Sequence, residues 1–229
     1  MLSISSDDFL LLLKGSLSIN VNDFAALKVY RDYGDPFSVL VTTILTQNTS
    51  DKNAIKAFDV LSRKFKIKPE VFASISLDEI IEAIKSSGMY YRKSRTIKLI
   101  SEAILRKFNG DFNSIFRLPL KDAREALLAL PGIGRKTADV LLLMCGKMPT
   151  FPVDRHVERV SKRIGFVSMN ATYEEIRSTL MNFFRPENYL EAHLLLIALG
   201  RKYCKAKKPL CFECPIKNLC NYGLSGVGG

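Results

Sequence analysis

Four of the five cysteines lie close together near the end of the chain, at a spacing that suits a metal centre. They are Cys204, Cys211, Cys214 and Cys220, in the pattern C-x6-C-x2-C-x5-C. Four thiolates accept either one tetrahedral zinc ion or a [4Fe–4S] cluster, and the spacing alone favours neither. Two disulfides are a third interpretation, which a reducing compartment disfavours. The fifth cysteine, Cys145, lies in an apolar run and is predicted to be a core residue.

The segment Leu130–Thr137 reads Leu-Pro-Gly-Ile-Gly-Arg-Lys-Thr and joins two predicted helices. It is not a dinucleotide fingerprint, because position 137 is Thr and no strand precedes it, nor a Walker loop, because position 129 is Ala. Its proline and glycines instead predict a helix–hairpin–helix, with an ordinary helical corner as the alternative. The N-terminus of the second helix is an anion site that fits DNA phosphate. The residues expected to contact DNA here are Gly132, Gly134, Arg135 and Thr137.

The elements that position these residues are predicted to be helices. Asp35 and Pro36 suit a helix start, although the β-branched run Phe37–Leu45 would equally suit a strand. Apolar residues recur elsewhere at helical spacing, so the predicted fold class is all-α. The best internal break is the proline-containing segment 146–152. The other predicted helical segments are 52–65, 77–86, 97–108, 122–130, 136–145, 155–163, 172–184 and 188–203.

Composition and charge narrow the class of partner. The chain has 229 residues, of which 47% are hydrophobic and 25% charged, as in soluble globular proteins. The net charge of +11 favours a polyanion, nucleic acid first and an anionic membrane surface second, over a merely solvated basic surface. The early apolar run is too short to span a membrane, and Asp7 and Asp8 before it do not suit a signal peptide. We therefore expect an intracellular protein of the cytoplasm or nucleoid, with no membrane partner.

The hairpin resembles the motif L-P-G-[IV]-G-R-K-T-A of endonuclease III, a family of the helix–hairpin–helix DNA glycosylase superfamily. In that family an Asp follows the hairpin Lys by 18 residues within V-D-x-H. In this chain Asp154, within Val153-Asp-Arg-His156, lies 18 residues after Lys136. The family's cysteine loop has the same spacing as here and holds a [4Fe–4S] cluster. The resemblance covers roughly Pro36–Cys220 and implies an iron–sulfur cluster rather than zinc.

This resemblance implies a bifunctional DNA glycosylase and AP lyase that acts on duplex DNA with oxidised pyrimidines or abasic sites. Lys136 would attack the sugar as a neutral amine, a form that burial and the neighbouring Arg135 would favour. Asp154 would stabilise positive charge on the sugar or help deprotonate the nucleophile. A phosphate contact for Lys136 and a helix cap for Asp154 are the simpler roles. The alternative functions are a monofunctional mismatch or alkylated-base glycosylase and a non-enzymatic DNA-binding module with a structural metal.

Weaker matches suggest how damaged DNA is recognised. The segment Gly88–Lys93 is similar to the family's G-[LM]-Y segment, which implies that Met89 wedges into the base stack, although Met89 would also suit a core. The family's intercalating Gln aligns with Asn48, so either Asn48 or the adjacent Gln47 would fill the gap left by a flipped base. Both residues would also suit helix caps. His156 is expected near the site as a helper or packing residue.

The resemblance also implies an architecture of two helical lobes. Residues 36–145 would form a six-helix barrel carrying the helix–hairpin–helix, and residues 1–35 with 146–229 would form the iron–sulfur domain. Lys136 and Asp154 would then come from opposite lobes and face a cleft that holds DNA. The protein is expected to be a monomer.

Overall fold

A computed structural model describes residues 4–225, and all regular structure in that range is helical. No helix within these residues is long and apolar enough to cross a membrane. The predicted all-α class is confirmed. The described residues form two compact units, one of residues 4–19 with 149–225 and the other of residues 20–148.

The first helix, α1 (Ser6–Ser16), belongs to the unit that also contains residues 149–225. The unit of residues 20–148 contains the next eight α-helices. Within residues 36–145, six helices have at least eight residues and a seventh has six. The eight helices are α2 (Ala25–Tyr33), α3 (Pro36–Leu45), α4 (Asp51–Lys64), α5 (Pro69–Ser74), α6 (Leu77–Ile84), α7 (Tyr90–Phe108), α8 (Leu120–Leu128) and α9 (Arg135–Met144).

Helix α3 resolves the choice between helix and strand that its sequence leaves open. The Asp35 carboxylate accepts hydrogen bonds from the backbone N–H groups of Phe37 and Ser38, and Pro36 occupies the first turn. The hydroxyls of Thr42 and Thr43 bond to carbonyls four residues earlier, at 2.8 Å each. All ten residues of α3 are buried, so packing from every side and a strong N-cap outweigh the β-branched content.

Helix α2 lies in a different unit from the one expected from the sequence. Residues 20–35 were expected with the cysteine cluster, but they pack within the unit of residues 20–148. Ala25 and Val29 on α2 are buried in the same core as Phe37 and Leu40 of α3. Burial of this apolar face fixes α2 to α3, and the break after the unit falls between Met148 and Pro149, inside the predicted segment 146–152.

The second unit is completed by four helices, α10 (Arg155–Ile164), α11 (Tyr173–Phe183), α12 (Tyr189–Lys202) and the short α13 (Asn221–Leu224). Its aromatic core joins α1 to this later part of the chain. Phe9 of α1 lies 5.6 Å from Phe166 and 5.8 Å from Phe183, ring centre to ring centre. The cysteine loop that follows α12 contains two short 3-10 turns, Cys211–Glu213 and Lys217–Leu219.

Candidate functional site

The hairpin between α8 and α9 is built as its sequence predicts. Gly132 has a φ of 77°, and a Cβ there would lie 2.4 Å from the Thr96 methyl carbon of α7. Only glycine therefore fits this turn without a rearrangement. Gly134 differs, because its φ is −93° and a Cβ would meet nothing within 4 Å. The open space at Gly134 leaves the backbone accessible to a ligand.

Helix α9 starts at the hairpin, and its N-terminus is the kind of position that attracts an anion. Gly134 is the N-cap residue and supplies no side-chain hydrogen bond, and the first turn contains no acidic residue. Arg135 is exposed, Lys136 is half-buried and Thr137 is buried. A ten-residue helix presents the positive end of its dipole at this point. The first turn of α9 thus carries a half-buried lysine at the N-terminal end of the helix dipole.

A buried ion pair that the sequence did not reveal joins the two helices of the hairpin. The Asp139 side chain of α9 is fully buried and receives two hydrogen bonds from Arg124 of α8, Nε to Oδ1 at 2.9 Å and Nη2 to Oδ2 at 3.1 Å. This two-bond geometry fixes the orientation of both side chains. The pair holds α9, and therefore Lys136, in a defined position on α8.

Asp154 is the N-cap of α10, the simpler of its two predicted roles. One carboxylate oxygen, Oδ1, accepts hydrogen bonds from the backbone N–H groups of His156 and Val157, both at 2.8 Å. The residue is half-buried. These bonds hold a carboxylate in a fixed direction at the start of the helix, which is compatible with a further electrostatic role.

His156, on α10, packs against α12. Burial lowers the pKa of its imidazole, and the ring Nδ1 lies 3.1 Å from Nη2 of Arg159. A Cβ on Gly200 of α12 would be 2.9 Å from the His156 Cβ, so the two helices touch here. Arg159 also donates to the carbonyls of Gly200 and Cys204, at 3.1 and 2.9 Å. The packing role expected for His156 is what the structure supports.

The four clustered cysteines line one largely apolar pocket together with residues such as Leu210. Burial raises the pKa of the Cys214 thiol to about 11 and raises that of Cys220 as well. Arg163 points Nη1 at the Cys204 sulfur, at 3.5 Å. Within residues 4–225 no three Cys, His, Asp or Glu side chains form a group tight enough for a single metal ion.

That donor set fits an iron–sulfur cluster. A single zinc ion requires thiolates that converge to about 2.3 Å from one centre, whereas each cysteine of a cubane cluster binds a different iron. The four thiols line one pocket, which suits such a cluster, and a bound cation would keep these ligands deprotonated. Cys145 is separate from this group, and burial raises the pKa of its thiol to about 12, as expected of an inert core residue.

Two of the three residues expected to read damage are brought together. Asn48 follows α3 with a φ of 54°, and Met89 precedes α7 with a φ of 48°. The side-chain nitrogen Nδ2 of Asn48 lies 3.6 Å from the Met89 sulfur. Met89 is 46% exposed, which rules out the core role that its sequence also suited. Gln47 is half-buried, whereas Asn48 is exposed.

Behind these two residues lies Lys93, whose role the sequence did not reveal. It is 2% exposed, and its ammonium donates to the carbonyls of Leu45 and Ser87 at 2.8 and 2.6 Å. Its position within Gly88–Lys93 was visible in the sequence, but its acceptors were not, because they belong to other elements.

Comparisons with known proteins agree with this geometry. Residues 41–186 match the model of the HhH-GPD superfamily of base excision DNA repair proteins. An endonuclease III of Sulfolobus acidocaldarius is 35% identical over 216 residues, which cover 94% of this chain and 95% of the relative. An endonuclease III of Thermotoga maritima is 37% identical over 188 residues, covering 82% and 84% respectively.

A solved structure described as a trapped endonuclease III–DNA covalent intermediate superposes with a TM-score of 0.76. It is 30% identical in sequence, and the match covers 98% of this chain and 99% of that one. The chain therefore belongs to the endonuclease III family, within the HhH-GPD superfamily of base excision DNA repair proteins, and is a DNA glycosylase and AP lyase.

Proposed function

We propose that this enzyme removes oxidised pyrimidines from duplex DNA and then cuts the strand by β-elimination, with Lys136 as the nucleophile. The observation that carries the proposal is the position of Lys136, half-buried in the first turn of α9, directly after the hairpin and its N-cap residue Gly134. A phosphate held by the N–H groups of this turn would bring the neighbouring deoxyribose to the lysine. Arg135 and the open backbone at Gly134 would complete the grip on the DNA backbone.

The chemistry needs the neutral form of Lys136. A lysine at its ordinary pKa of about 10.4 is almost fully protonated at neutral pH, so the attack starts from the small neutral fraction. The amine attacks C1′, a C–N bond forms, and the C1′–N bond to the damaged base breaks with protonation of the base. Opening of the sugar ring gives a Schiff base. Loss of a C2′ proton then breaks the C3′–O bond, and water later releases the lysine.

We assign Asp154 the role of balancing positive charge that develops on the sugar. The two N–H groups at the start of α10 fix its carboxylate in one direction, which lets it act without reorganisation. The same carboxylate caps α10, so the structural and electrostatic roles coexist in one side chain.

For damage recognition we propose that Met89 enters the base stack and Asn48 occupies the gap left by the flipped nucleotide. Both residues are exposed, and their side chains contact each other. A flipped base costs a few kcal/mol of unstacking, which a damaged base partly lowers. Asn48 has a shorter amide than the family's Gln, and its contact with Met89 places this amide beside the wedge.

The endonuclease III family carries a [4Fe–4S] cluster, and we propose that Cys204, Cys211, Cys214 and Cys220 hold it in this chain. When bound, the cluster cross-links the loop that follows α12. We further assign the unit of residues 20–148 as the helix–hairpin–helix domain and residues 4–19 with 149–225 as the cluster domain. The lysines around the cysteines would support DNA binding beside the cluster.

The proposal is tested with duplexes that each contain one lesion, scored separately for base release and for strand cleavage. Oxidised pyrimidines such as thymine glycol should release the base and give a cut strand, and an abasic duplex should be cut directly. A Lys136→Gln variant should lose strand cleavage on both. Cleavage by this variant at the wild-type rate would exclude Lys136, and base release from mismatched or alkylated duplexes alone would favour a monofunctional glycosylase.

A further inference from the structure

Lys93 is a buried cation at a position where burying a hydrophobic side chain would cost less free energy. The side chain is 2% exposed, and burial lowers the pKa of its ammonium to about 8. Taking a charged group out of water costs stability unless it gains well-placed hydrogen bonds. Lys93 has two, to the carbonyls of Leu45 and Ser87.

The two carbonyls lie directly before two short segments, one containing Asn48 and the other Met89, which we call the damage-reading segments. Leu45 is the last residue of α3, and Asn48 follows three positions later. Ser87 ends the 3-10 turn Lys85–Ser87, and Met89 follows two positions later. Carbonyls at a helix C-terminus have no partner within their own helix and favour a cation. One ammonium therefore fixes the base of both segments.

Both segments have backbone conformations that need such support. Asn48 and Met89 have φ values of 54° and 48°, which residues with a Cβ adopt rarely. Conformations of this kind persist only where surrounding structure determines them. The Asn48–Met89 contact at 3.6 Å then depends on both segments being held at one distance from each other.

Resting on the proposed function, we propose that Lys93 is a positioning residue that ties the Asn48 and Met89 segments together and so sets the efficiency of base flipping. It touches neither DNA nor the reacting atoms in this scheme. Its loss should impair steps that require a base to leave the stack, and it should spare steps that start from a sugar without a base.

Lys98 provides a matched control on the same helix. Its ammonium also donates to two carbonyls, those of Ala73 at 3.0 Å and Ile75 at 2.7 Å, but these belong to the end of α5 and not to the damage-reading segments. A Lys98→Met variant removes the same kind of bond from a purely structural position.

The experiment compares two rates in each variant: base release from a thymine glycol duplex, and borohydride trapping on an abasic duplex that has no base to flip. For Lys93→Met we expect base release to fall by about tenfold to a hundredfold, while trapping stays within about threefold of the wild type. Lys93→Arg, which keeps the charge and donors, should restore most of the base release. Lys98→Met should leave the ratio of the two rates unchanged.

Fluorescence of 2-aminopurine beside the lesion supplies a second readout, since it rises when the stack opens. We expect the wild type and Lys98→Met to raise it and Lys93→Met to do so less. A further test is the double variant Asn48→Ala, Met89→Ala: because Lys93 acts through both residues, adding Lys93→Met should lower base release no further, and a further fall would contradict the proposal. Lys93→Gln, also uncharged, takes the place of Lys93→Met should the latter not fold.

Two failures are distinguishable. If Lys93→Met lowers base release and trapping equally, or matches Lys98→Met in their ratio, Lys93 is only a structural residue. If the wild type itself neither releases a base nor forms an adduct with any duplex, the proposed function fails instead.

Discussion

Asp154 combines two tasks that conservative substitution can separate. Its carboxylate caps α10 through two backbone N–H groups and, in the proposed mechanism, balances charge on the sugar. Asparagine is an equally good N-cap but carries no charge, whereas alanine neither caps the helix nor carries a charge. The difference between these two variants therefore isolates the electrostatic contribution from the structural one.

For Asp154→Asn we expect base release to fall by about a hundredfold or more, with the free energy of unfolding changed by less than about 0.5 kcal/mol. Asp154→Ala should lose as much activity and about 1 kcal/mol of stability in addition. Single-turnover base release and urea unfolding measure the two effects. An Asp154→Asn variant with wild-type base release would leave Asp154 as a helix cap only.

Lys93 makes a pH-dependent contribution to stability, which is set by the difference between its pKa in the folded and in the unfolded chain. Burial lowers the pKa from 10.5 to about 8, so between these values the unfolded chain binds more protons than the folded one. Stability from this group therefore rises with pH across that window and is lost as the pH falls through 8.

The free energy of unfolding of the wild type, minus that of Lys93→Met, should thus increase by roughly 1 to 2 kcal/mol from about pH 7.5 to about pH 9.5. Subtracting the variant cancels the titration of all shared groups. Urea unfolding at several pH values measures the difference. A difference that stays constant or falls over this range would mean that Lys93 is not desolvated.

At the scale of elements, the hairpin depends on two glycines for different reasons. Gly132 is required by its φ of 77° and by the Thr96 side chain against it, which makes it a folding requirement of the α8–α9 turn. Gly134 has ordinary backbone angles and open space around its Cα, so folding does not require glycine there, and only the proposed approach of DNA does.

Gly132→Ala should therefore cost about 1–3 kcal/mol of stability, from a positive φ and a close contact. Gly134→Ala should leave stability within about 0.5 kcal/mol of the wild type and weaken DNA binding, because a methyl group would obstruct the approaching phosphate. Thermal unfolding and binding to an abasic-site analogue check the pair. Equal DNA affinity of Gly134→Ala and wild type would argue against a phosphate at this hairpin.

Helix starts were the most predictable elements. Asp35 caps α3 as its sequence predicts, because a cap needs partners only two or three residues away. Ser76 and Thr172 form capping boxes of the same local kind at α6 and α11. Helix α2 was missed: it lacks a side-chain cap hydrogen bond, and its short apolar face becomes visible only when packed on α3.

At the scale of the whole molecule, the sequence predicted the all-α class, the hairpin and the family. It did not predict the Arg124–Asp139 pair or the acceptors of Lys93. Arg124 and Asp139 are 15 positions apart, and Lys93 lies 48 positions from Leu45 and 6 from Ser87. No local periodicity encodes which of these carbonyls or carboxylates a side chain will meet. The contact between Asn48 and Met89, which lie 41 positions apart, is likewise not encoded locally.

The cysteine loop packs on α10 through Arg159 and Arg163, so the proposed cluster would stabilise the second unit as a whole. Cys211→Ser should give protein without the visible absorption of an iron–sulfur cluster and with a lower unfolding temperature. Cys145→Ser, outside the pocket, should keep the absorption. Bound zinc in a colourless wild-type protein, measured by metal analysis, would contradict the [4Fe–4S] assignment.

The central claim is that Lys136 forms the covalent link to DNA, and borohydride trapping followed by mass spectrometry of the digested adduct tests it most directly. We expect the wild type to give an adduct with an oxidised-pyrimidine duplex, with the sugar remnant on Lys136. Lys136→Gln should give none, whereas Lys93→Met should still give one on an abasic duplex. An adduct on another residue, or trapping by Lys136→Gln at the wild-type rate, would contradict the account.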